Sequence, residues 1–146
     1  MVSILPHNDD SYDSGDEPRR FEMREAPVNI LAPVRHGLPL WMVDDALSAG
    51  RISAVELDRL VLPRKTLAHR RTLGNLTPEQ SDRLARVLRI IDEAEATFAD
   101  KAKAHAWLRR PSALLDGEAP LDRLDTDIGT RQVEAILGRI ADGIAA

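Results

Sequence analysis

A short basic run after Pro63 holds the side chains of this sequence that are best suited to bind a polyanion. The run contains Arg64, Lys65, Thr66, His69, Arg70 and Arg71. Arginine and lysine can reach guanine edges in the major groove of DNA, while threonine and arginine can hold phosphates. The residue types therefore indicate DNA binding. The simpler alternative is that the run is a charged helix face in contact with water.

Signals for two short helices predict how this run is presented. Ser53 and Glu56 are spaced as a capping box, in which each side chain bonds the backbone N–H of the other residue. Pro63 ends that helix and begins the basic one, which ends at Gly74. Two short helices separated by about four residues, the second of them basic, are typical of a helix-turn-helix that places its second helix in the major groove.

The charge of the chain is unevenly distributed. The net charge is −4, yet residues 51–89 contain nine basic and four acidic residues, which gives +5. Residues 1–50 carry −5 and residues 90–146 carry −4. The negative net charge of the whole chain argues against a nucleic-acid partner, so only the positive charge of residues 51–89 supports one. A helix is predicted to follow the basic run. In it, Arg83, Arg86 and Arg89 are three residues apart and point in successively different directions around the helix axis, so we expect only some of them to face a DNA backbone.

No catalytic or metal-binding pattern accompanies the basic run. The sequence has no cysteine, which excludes disulfides, thiolate zinc sites and cysteine nucleophiles. The four histidines, His7, His36, His69 and His105, are scattered, and no nucleophile–base pair, metal-ligand cluster or glycine-rich phosphate loop occurs. We therefore expect a protein that is not an enzyme and that uses no cofactor and no metal.

The sequence changes character twice before the helix-turn-helix. Residues 1–26 are polar and acidic and cannot bury enough apolar surface to fold, so they are predicted to be a disordered tail. A tail of this kind could compete with DNA phosphates for the basic helix. Pro27 and Pro33 bracket an apolar segment that is interpreted as an extended arm. Pro39 and Gly50 then delimit a further helix.

The C-terminal half begins with a strong helix signal. Thr77 opens a second capping box, and apolar residues recur at helical spacing from there to Phe98. These residues are Leu84, Val87, Leu88, Ile91, Ala94 and Phe98. Asp100 is expected to cap a short helix that ends before Pro111, and Thr126 is expected to cap a last helix. Between them lies a predicted irregular connector with leucine and proline anchors.

The same C-terminal half carries a pattern specific to one protein family. The pattern consists of Phe98, Ala104, Trp107, Leu108, Pro111, Leu114, Gly117, Pro120, Leu121, Leu124, Thr126, Gly129, Val133, Leu137, Arg139, Ile140 and Gly143. With these residues the chain resembles the C-terminal toxin-binding domain of the MbcA/ParS/Xre family of bacterial antitoxins. One position departs from the pattern, because Ser112 stands where the family usually has asparagine.

The resemblance implies a toxin-binding surface and two partners. The residues that it assigns to this surface are Trp107, Leu108, Pro111, Leu114, Pro120, Leu121, Leu124, Thr126, Gly129, Arg131, Ile140 and Gly143. It implies a RES-domain toxin that consumes NAD, and repression of the module's own promoter through an Xre-like DNA-binding fold. From the residues alone, a single tryptophan such as Trp107 is more often core than interface. The small apolar end Ile140–Ala146 either enters a partner's cleft or frays.

These features predict an all-α protein, in which an Xre-like helix-turn-helix unit is joined by a long helix to a small C-terminal helical toxin-binding domain. The predicted boundaries are 1–26 for the tail, 27–76 for the helix-turn-helix region and 77–146 for the long helix with the toxin-binding domain. No low-complexity linker separates the two parts, so we expect them to share packing. We expect a cytoplasmic homodimer that binds a RES-domain toxin and operator DNA. No membrane partner is expected, since no run of about 18 apolar residues occurs. A free-standing transcriptional regulator and a protein–protein adaptor without DNA binding are the alternatives.

Overall fold

The computed structural model describes residues 31–143, and this part of the chain is helical without a β-strand, which confirms the all-α prediction. The α-helices are α1 Leu31–His36, α2 Leu40–Ser48, α3 Ala54–Leu60, α4 Arg64–Leu73, α5 Pro78–Phe98, α6 Lys101–Arg109 and α7 Asp127–Ala141. Two 3₁₀ helices, η1 Ala113–Leu115 and η2 Pro120–Asp125, lie between α6 and α7. The predicted acidic tail and residues 144–146 lie outside the described residues. None of the helices in residues 31–143 is both long enough and apolar enough to cross a membrane.

Helix α1 takes the place of part of the predicted extended arm, so that prediction is wrong for residues 31–34. Pro33 is the third residue of α1. The N–H groups in the first turn of a helix have no partner within the helix, so a proline at this position removes no hydrogen bond. Val34 packs against the core, and α1 lies against α5. The rest of the predicted arm, residues 27–30, lies outside the described part of the chain.

Helix α5 is the centre of the fold. It contacts α1, α3, α6, α7 and η2. Its predicted apolar face is buried, with Phe98 half-buried at the end, and Ile90 is buried as well because helices pack on more than one side of α5. A single hydrophobic core runs from Leu38 to Leu137. The two halves of the chain therefore share their packing, as predicted.

Three of the predicted helix caps are present. Thr77 and Gln80 form the complete reciprocal capping box at the start of α5. Asp100 accepts a hydrogen bond from the backbone N–H of Lys103 at 2.9 Å, and Thr126 accepts one from that of Gly129 at 3.0 Å. These contacts join residues only three positions apart, which is why the sequence predicts them.

The predicted capping box of α3 is only half formed. The Ser53 hydroxyl accepts a hydrogen bond from the backbone N–H of Glu56 at 3.1 Å. The Glu56 carboxylate does not return the bond, because it is held instead by the guanidinium of Arg109 in α6. A charge-assisted bidentate contact is stronger than a bond to one backbone N–H, so the long-range partner takes this side chain.

The starts of α2 and α5 are tied together by a buried polar contact. Ser81 is fully buried, and its hydroxyl accepts from the backbone N–H of Leu38 at 2.8 Å and donates to the carbonyl oxygen of Thr77 at 2.7 Å. Next to this contact, Gly37 has a φ of +90°, and a Cβ added to it would lie 2.2 Å from the carbonyl oxygen of Leu76. Only glycine fits this close approach, which sets α2 against the beginning of α5.

Candidate DNA-binding helix and partner-binding surface

Helix α4 carries the basic run and has no buried residue. Thr66, Leu67 and Arg70 are half-buried, so α4 meets the rest of the chain on this side. The exposed residues of the helix are Arg64, Lys65, Ala68, His69, Arg71, Thr72 and Leu73. An isolated helix of this length is marginal in water, and burial of an apolar face is the usual source of its stability. A helix that is instead exposed and cationic is suited to a polyanionic ligand that covers it.

Helix α3 fixes the direction in which α4 starts. The Asp58 carboxylate accepts a hydrogen bond from the backbone N–H of Arg64 at 2.7 Å, which places a negative charge at the N-terminus of α4. The turn between the two helices is anchored by the buried side chains of Val61 and Leu62. Gly74, with a φ of +87°, ends α4 as predicted. This is the layout of a helix-turn-helix with α4 as its second helix.

Two of the predicted DNA-binding arginines have partners within the chain. Arg71 lies 2.8 Å from a carboxylate oxygen of Asp44, and Arg70 Nε donates to the carbonyl oxygen of Asn75 at 2.8 Å. The side chains of the Arg71–Asp44 pair are 43% and 50% exposed, so the pair is weak and can open for a ligand. With respect to the described residues, the side chains of Arg64, Lys65 and His69 in α4 have neither a hydrogen bond nor an ion pair.

Outside α4, ion pairs neutralise much of the basic middle segment. The pairs are Arg51–Asp92, Arg59–Asp122 and Arg89–Glu134. Arg83 donates to the carbonyl oxygen of Val61 at 3.4 Å. Near the Arg89–Glu134 pair, burial raises the pKa of the Glu93 carboxyl, the charge of Glu134 raises it further, and Arg89 opposes the rise. The arginine and lysine side chains of the segment that have no carboxylate partner among the described residues are Arg64, Lys65 and Arg70 of α4 and Arg83 and Arg86 of α5.

The predicted toxin-binding residues divide into a buried and an exposed group. The buried group is Leu108, Pro120, Leu121, Leu124 and Gly129. The exposed or half-buried group is Trp107, Pro111, Leu114, Thr126, Arg131, Ile140 and Gly143. Residues of the first group are buried, so they support a binding surface without forming part of it. Contact between the second group and a toxin stays a prediction.

The segment between α6 and α7 is more regular than the predicted irregular connector. The Ser112 hydroxyl accepts a hydrogen bond from the backbone N–H of Leu114 at 3.2 Å, and its carbonyl accepts one from that of Gly117 at 2.8 Å. Serine therefore supplies the side-chain bond of this turn at the position where asparagine is usual. The turn leaves Leu114 69% exposed while the next residue, Leu115, is 2% exposed.

Two contacts hold η1, η2 and α7 together. Arg123 of η2 donates to the carbonyl oxygen of Leu115 at 2.8 Å, which ties η2 to η1. A Cβ added to Gly129 would lie 2.1 Å from the carbonyl oxygen of Arg123, so only glycine allows α7 to approach η2 this closely. The buried Gly129 therefore fixes the position of α7 relative to η2.

Two large apolar side chains, those of Trp107 and Ile128, lie at least partly on the outside of the toxin-binding region. The ring of Trp107 packs on that of Phe98 with centroids 5.5 Å apart, and both side chains are half-buried at the edge of the core. Ile128, in the first turn of α7, is 73% exposed and was not among the predicted residues. Its position outside the helical spacing of Val133, Ile136 and Leu137 is the sequence signal that marks it as an apolar residue on the outside of the helix.

Comparisons with known proteins match both parts of the chain. Residues 30–89 match the Antitoxin Xre-like helix-turn-helix domain, and residues 93–143 match the Antitoxin Xre/MbcA/ParS C-terminal toxin-binding domain. The chain is 32% identical over 118 residues to Antitoxin Xre of Yersinia enterocolitica, which covers 79% of this chain and 80% of that protein. The chain belongs to the Xre antitoxin family.

Two further relatives support this assignment. Antitoxin Xre of Photorhabdus laumondii is 32% identical over 121 residues, which cover 81% of this chain and 82% of the relative. Antitoxin Xre of Pseudomonas putida is 38% identical over 104 residues, which cover 70% of this chain and 64% of the relative, just under two thirds of its length. The assignment confirms the resemblance seen in the sequence and the prediction that the chain is not an enzyme.

In this Xre-family chain, Arg109 connects the helix-turn-helix domain to the toxin-binding domain. Its Nε and Nη2 atoms donate to the two carboxylate oxygens of Glu56 at 3.0 and 3.1 Å, and Nη2 also donates to the carbonyl oxygen of Arg51 at 3.2 Å. Arg109 is the last residue of α6, and Glu56 lies in the first turn of α3. The contact therefore joins the helix before the toxin-binding segment to the helix that positions α4.

His105 extends this contact towards α5. Its Nδ1 lies 3.0 Å from Arg109 Nη1, and its Nε2 lies 2.8 Å from an oxygen of the buried Glu95 carboxylate. Since a guanidinium group only donates, Nδ1 accepts, and Nε2 carries the hydrogen that is donated to Glu95. The imidazole thus bridges the Arg109 guanidinium and the Glu95 carboxylate.

Proposed function

We propose that this protein is an antitoxin that binds and neutralises a RES-domain, NAD-degrading toxin and represses its own operon by binding operator DNA as a homodimer. The observation that carries the proposal is the presence of two separate exposed surfaces on one shared core. The cationic face of α4 lies in the helix-turn-helix domain, and the exposed apolar residues of η1 and α7 lie in the toxin-binding domain. The RES partner is supported by the resemblance of residues 98–143 to antitoxins that act on such toxins.

The exposure of α4 supports a role in DNA binding. Arg64 and Lys65 stand at the start of α4, and the N-terminal residues of such a helix reach base edges when it enters the major groove. Their charges have no carboxylate partner among the described residues, so binding phosphate or guanine displaces no ion pair. Ion pairs engage Arg51, Arg59 and Arg89 elsewhere in residues 51–89, and α4 keeps three basic side chains, Arg64, Lys65 and Arg70, without a carboxylate partner among the described residues.

A charge-matched pair of double variants tests operator binding. The variant Arg64→Ala/Lys65→Ala should lose affinity for operator DNA by about 1–3 kcal/mol for each side chain that contacts a base. The control Lys101→Ala/Lys103→Ala removes the same charge from exposed positions on α6 and should bind DNA like the wild type. Equal losses in both variants would show that net charge, and not α4, drives the binding.

The apolar residues of η1 and α7 support a role in protein binding. Leu114 in η1 and Ile128 in the first turn of α7 are exposed, and each is next to a buried residue, Leu115 and Gly129 respectively. A large apolar side chain held in a fixed position is a typical anchor at the centre of a protein interface. Because the backbone on both sides is already ordered by hydrogen bonds, binding costs little additional conformational entropy.

Aspartate substitutions test toxin binding. Leu114→Asp and Ile128→Asp should each weaken binding to the RES toxin by about 2 kcal/mol, roughly thirtyfold, and release its NAD consumption in a mixture of the two proteins. Both positions are exposed, so the melting temperature should stay near that of the wild type.

The matched control is Val55→Asp, which places the same charge at an exposed apolar position on α3. It should leave toxin binding and inhibition unchanged. If all three variants inhibit the co-expressed RES toxin as the wild type does, then η1 and α7 do not form the inhibitory surface. If the wild-type protein itself neither binds nor inhibits that toxin, the assignment of a RES partner fails.

A homodimer is proposed because helix-turn-helix proteins usually pair to read two half-sites of an operator. The mass of the protein in solution, measured with and without operator DNA, tests this part separately. A monomer in both conditions would contradict it without affecting the assignment of the toxin.

A further inference from the structure

The outward face of α4 has methyl groups along its middle and cations on both sides. Thr66, Leu67 and Arg70 mark the inner side of the helix, since these residues are half-buried. At 3.6 residues per turn, the side chains that point directly away from them are those of Ala68 and Thr72, one turn apart. Longer polar side chains flank this strip, with Arg64 on one side and Lys65 and His69 on the other.

We propose that Ala68 contacts the C5 methyl group of a thymine in each operator half-site, and that Arg64 and Lys65 contact an adjacent G·C pair. The inference rests on the proposed binding of operator DNA and adds which bases are read. In the major groove, thymine presents a methyl group and guanine presents the acceptors O6 and N7. Alanine is matched to the first, and arginine and lysine are matched to the second.

Position and size favour Ala68 over Thr72 as the reader of this methyl group. Ala68 lies nearer the N-terminus of α4, the part of such a helix that reaches base edges. Its single methyl group at the centre of the outward face also lets the helix backbone come close to the floor of the groove. The Thr72 hydroxyl is occupied within the helix, where it donates to the carbonyl oxygen of His69 at 2.6 Å.

Arg70 and Arg71, which are also predicted to bind DNA, do not contact bases in this proposal. Arg70 is half-buried and bonded to the backbone of Asn75, and Arg71 lies at the edge of the outward face beside Asp44. Side chains that are held at the rim of the helix can reach phosphates but not the bases under its centre. We therefore assign Arg71 to the DNA backbone, whereas Arg70, on the inner side of α4, is assigned no contact with DNA.

The test uses the full-length wild-type protein and the duplex that it enriches from a random DNA pool. Each thymine of the enriched half-site is replaced in turn by uracil, which removes the C5 methyl group and leaves base pairing intact. Replacement of the contacted thymine in one half-site should weaken binding about fourfold, the change expected for losing the burial of one methyl group. Replacing guanine by 7-deazaguanine, which lacks the N7 acceptor, should weaken binding about tenfold next to that thymine.

Three protein variants assign the thymine effect to one side chain. In Ala68→Gly, the affinity ratio between thymine and uracil DNA should fall to about one. Any loss of helix stability acts on both duplexes equally and cancels in this ratio. Ala96→Gly makes the same change at an exposed position of α5 and should keep the wild-type ratio, as should Thr72→Ser, which removes only the methyl group of that residue.

The outcomes separate this inference from the proposed function. If the pool yields no enriched sequence, operator binding fails and the inference fails with it. If a sequence is enriched but no uracil replacement changes affinity, only the assignment of Ala68 is overturned. The same holds if the uracil effect persists in Ala68→Gly or disappears in Thr72→Ser.

Discussion

The contact between Arg109 and Glu56 predicts a measurable coupling between the two domains of this antitoxin. Replacing Arg109 by methionine keeps most of the length and the apolar stem of the side chain but removes the guanidinium. The Glu56 side chain is only 12% exposed, so its carboxylate would lose its charged partner in a place with little access to water. The hydrogen bond to His105 and that to the carbonyl oxygen of Arg51 would be lost as well.

The expected size of the effect follows from the burial of the two partners. Exposed ion pairs contribute about 0–1 kcal/mol, and breaking a fully buried pair costs about 3–5 kcal/mol. The Arg109 side chain is 35% exposed and its partner is much less so, which places this pair between the two cases. We expect Arg109→Met to lower the free energy of unfolding by about 2 kcal/mol, which corresponds to a drop of roughly 6 °C in Tm.

A double-mutant cycle with Glu56→Gln measures the interaction itself. Urea unfolding of the wild type, the two single variants and the double variant should give a coupling energy of about 1–2 kcal/mol. Arg110→Met, combined with the same glutamine variant, is the matched control, because Arg110 is exposed and has no ion pair with a described residue. A coupling below about 0.5 kcal/mol in the Arg109 cycle would refute the claim that this contact joins the domains.

Three further predictions concern stability. Gly129→Ala should destabilise the fold strongly, since its Cβ would lie 2.1 Å from a backbone oxygen, whereas Gly138→Ala meets nothing within 4 Å and should be neutral or stabilising in the same thermal melt. Glu93→Gln should raise the Tm at pH 7 but not at pH 4. Burial raises the pKa of the Glu93 carboxyl in the folded chain, so the folded chain holds this proton more tightly than the unfolded chain does. The contribution of Glu93 to stability therefore falls as the pH rises above the ordinary pKa of 4.5. An equal gain in Tm at both pH values would contradict this account. Leu124→Ala should cost about 2–5 kcal/mol in urea unfolding and Leu114→Ala should cost little, because the first side chain is buried and the second is exposed; similar costs would mean that η1 is packed differently in solution.

The sequence predicted those parts of the fold that depend on contacts between near neighbours. The caps at Thr77, Asp100 and Thr126 and the apolar face of α5 all join residues within one or two helical turns. The contact of Asp58 with the start of α4 spans six residues, which is beyond any capping pattern, and no pattern predicts it. The sequence does not predict α1, because proline usually breaks a helix and only the place of Pro33 in the first turn makes it compatible with one.

The sequence locates the residues of the candidate partner-binding region, but it does not tell which of them are exposed and which are buried. The family pattern contains both kinds of residue, because a fixed surface needs a fixed support. Leu114 and Leu115 are adjacent and chemically identical, yet the 3₁₀ turn after Ser112 exposes one and buries the other. Similarly, the carboxylate of Glu56 follows the capping-box spacing but is taken by an arginine 53 residues away. Such outcomes depend on the tertiary structure, which local spacing does not encode.

The continuity of α5 restricts how the two domains of this family can be exchanged between relatives. The helix-turn-helix match ends and the toxin-binding match begins inside this one helix, so a chimera must be joined within it. Inserting a single residue at the junction would turn the second domain by about 100° and shift it by about 1.5 Å relative to the first. Arg59 and Asp122, which meet across the domains, would then be separated, and the same would happen to Arg109 and Glu56. A chimera of this chain with a relative therefore keeps these contacts only when the helical phase of the donor matches that of this chain.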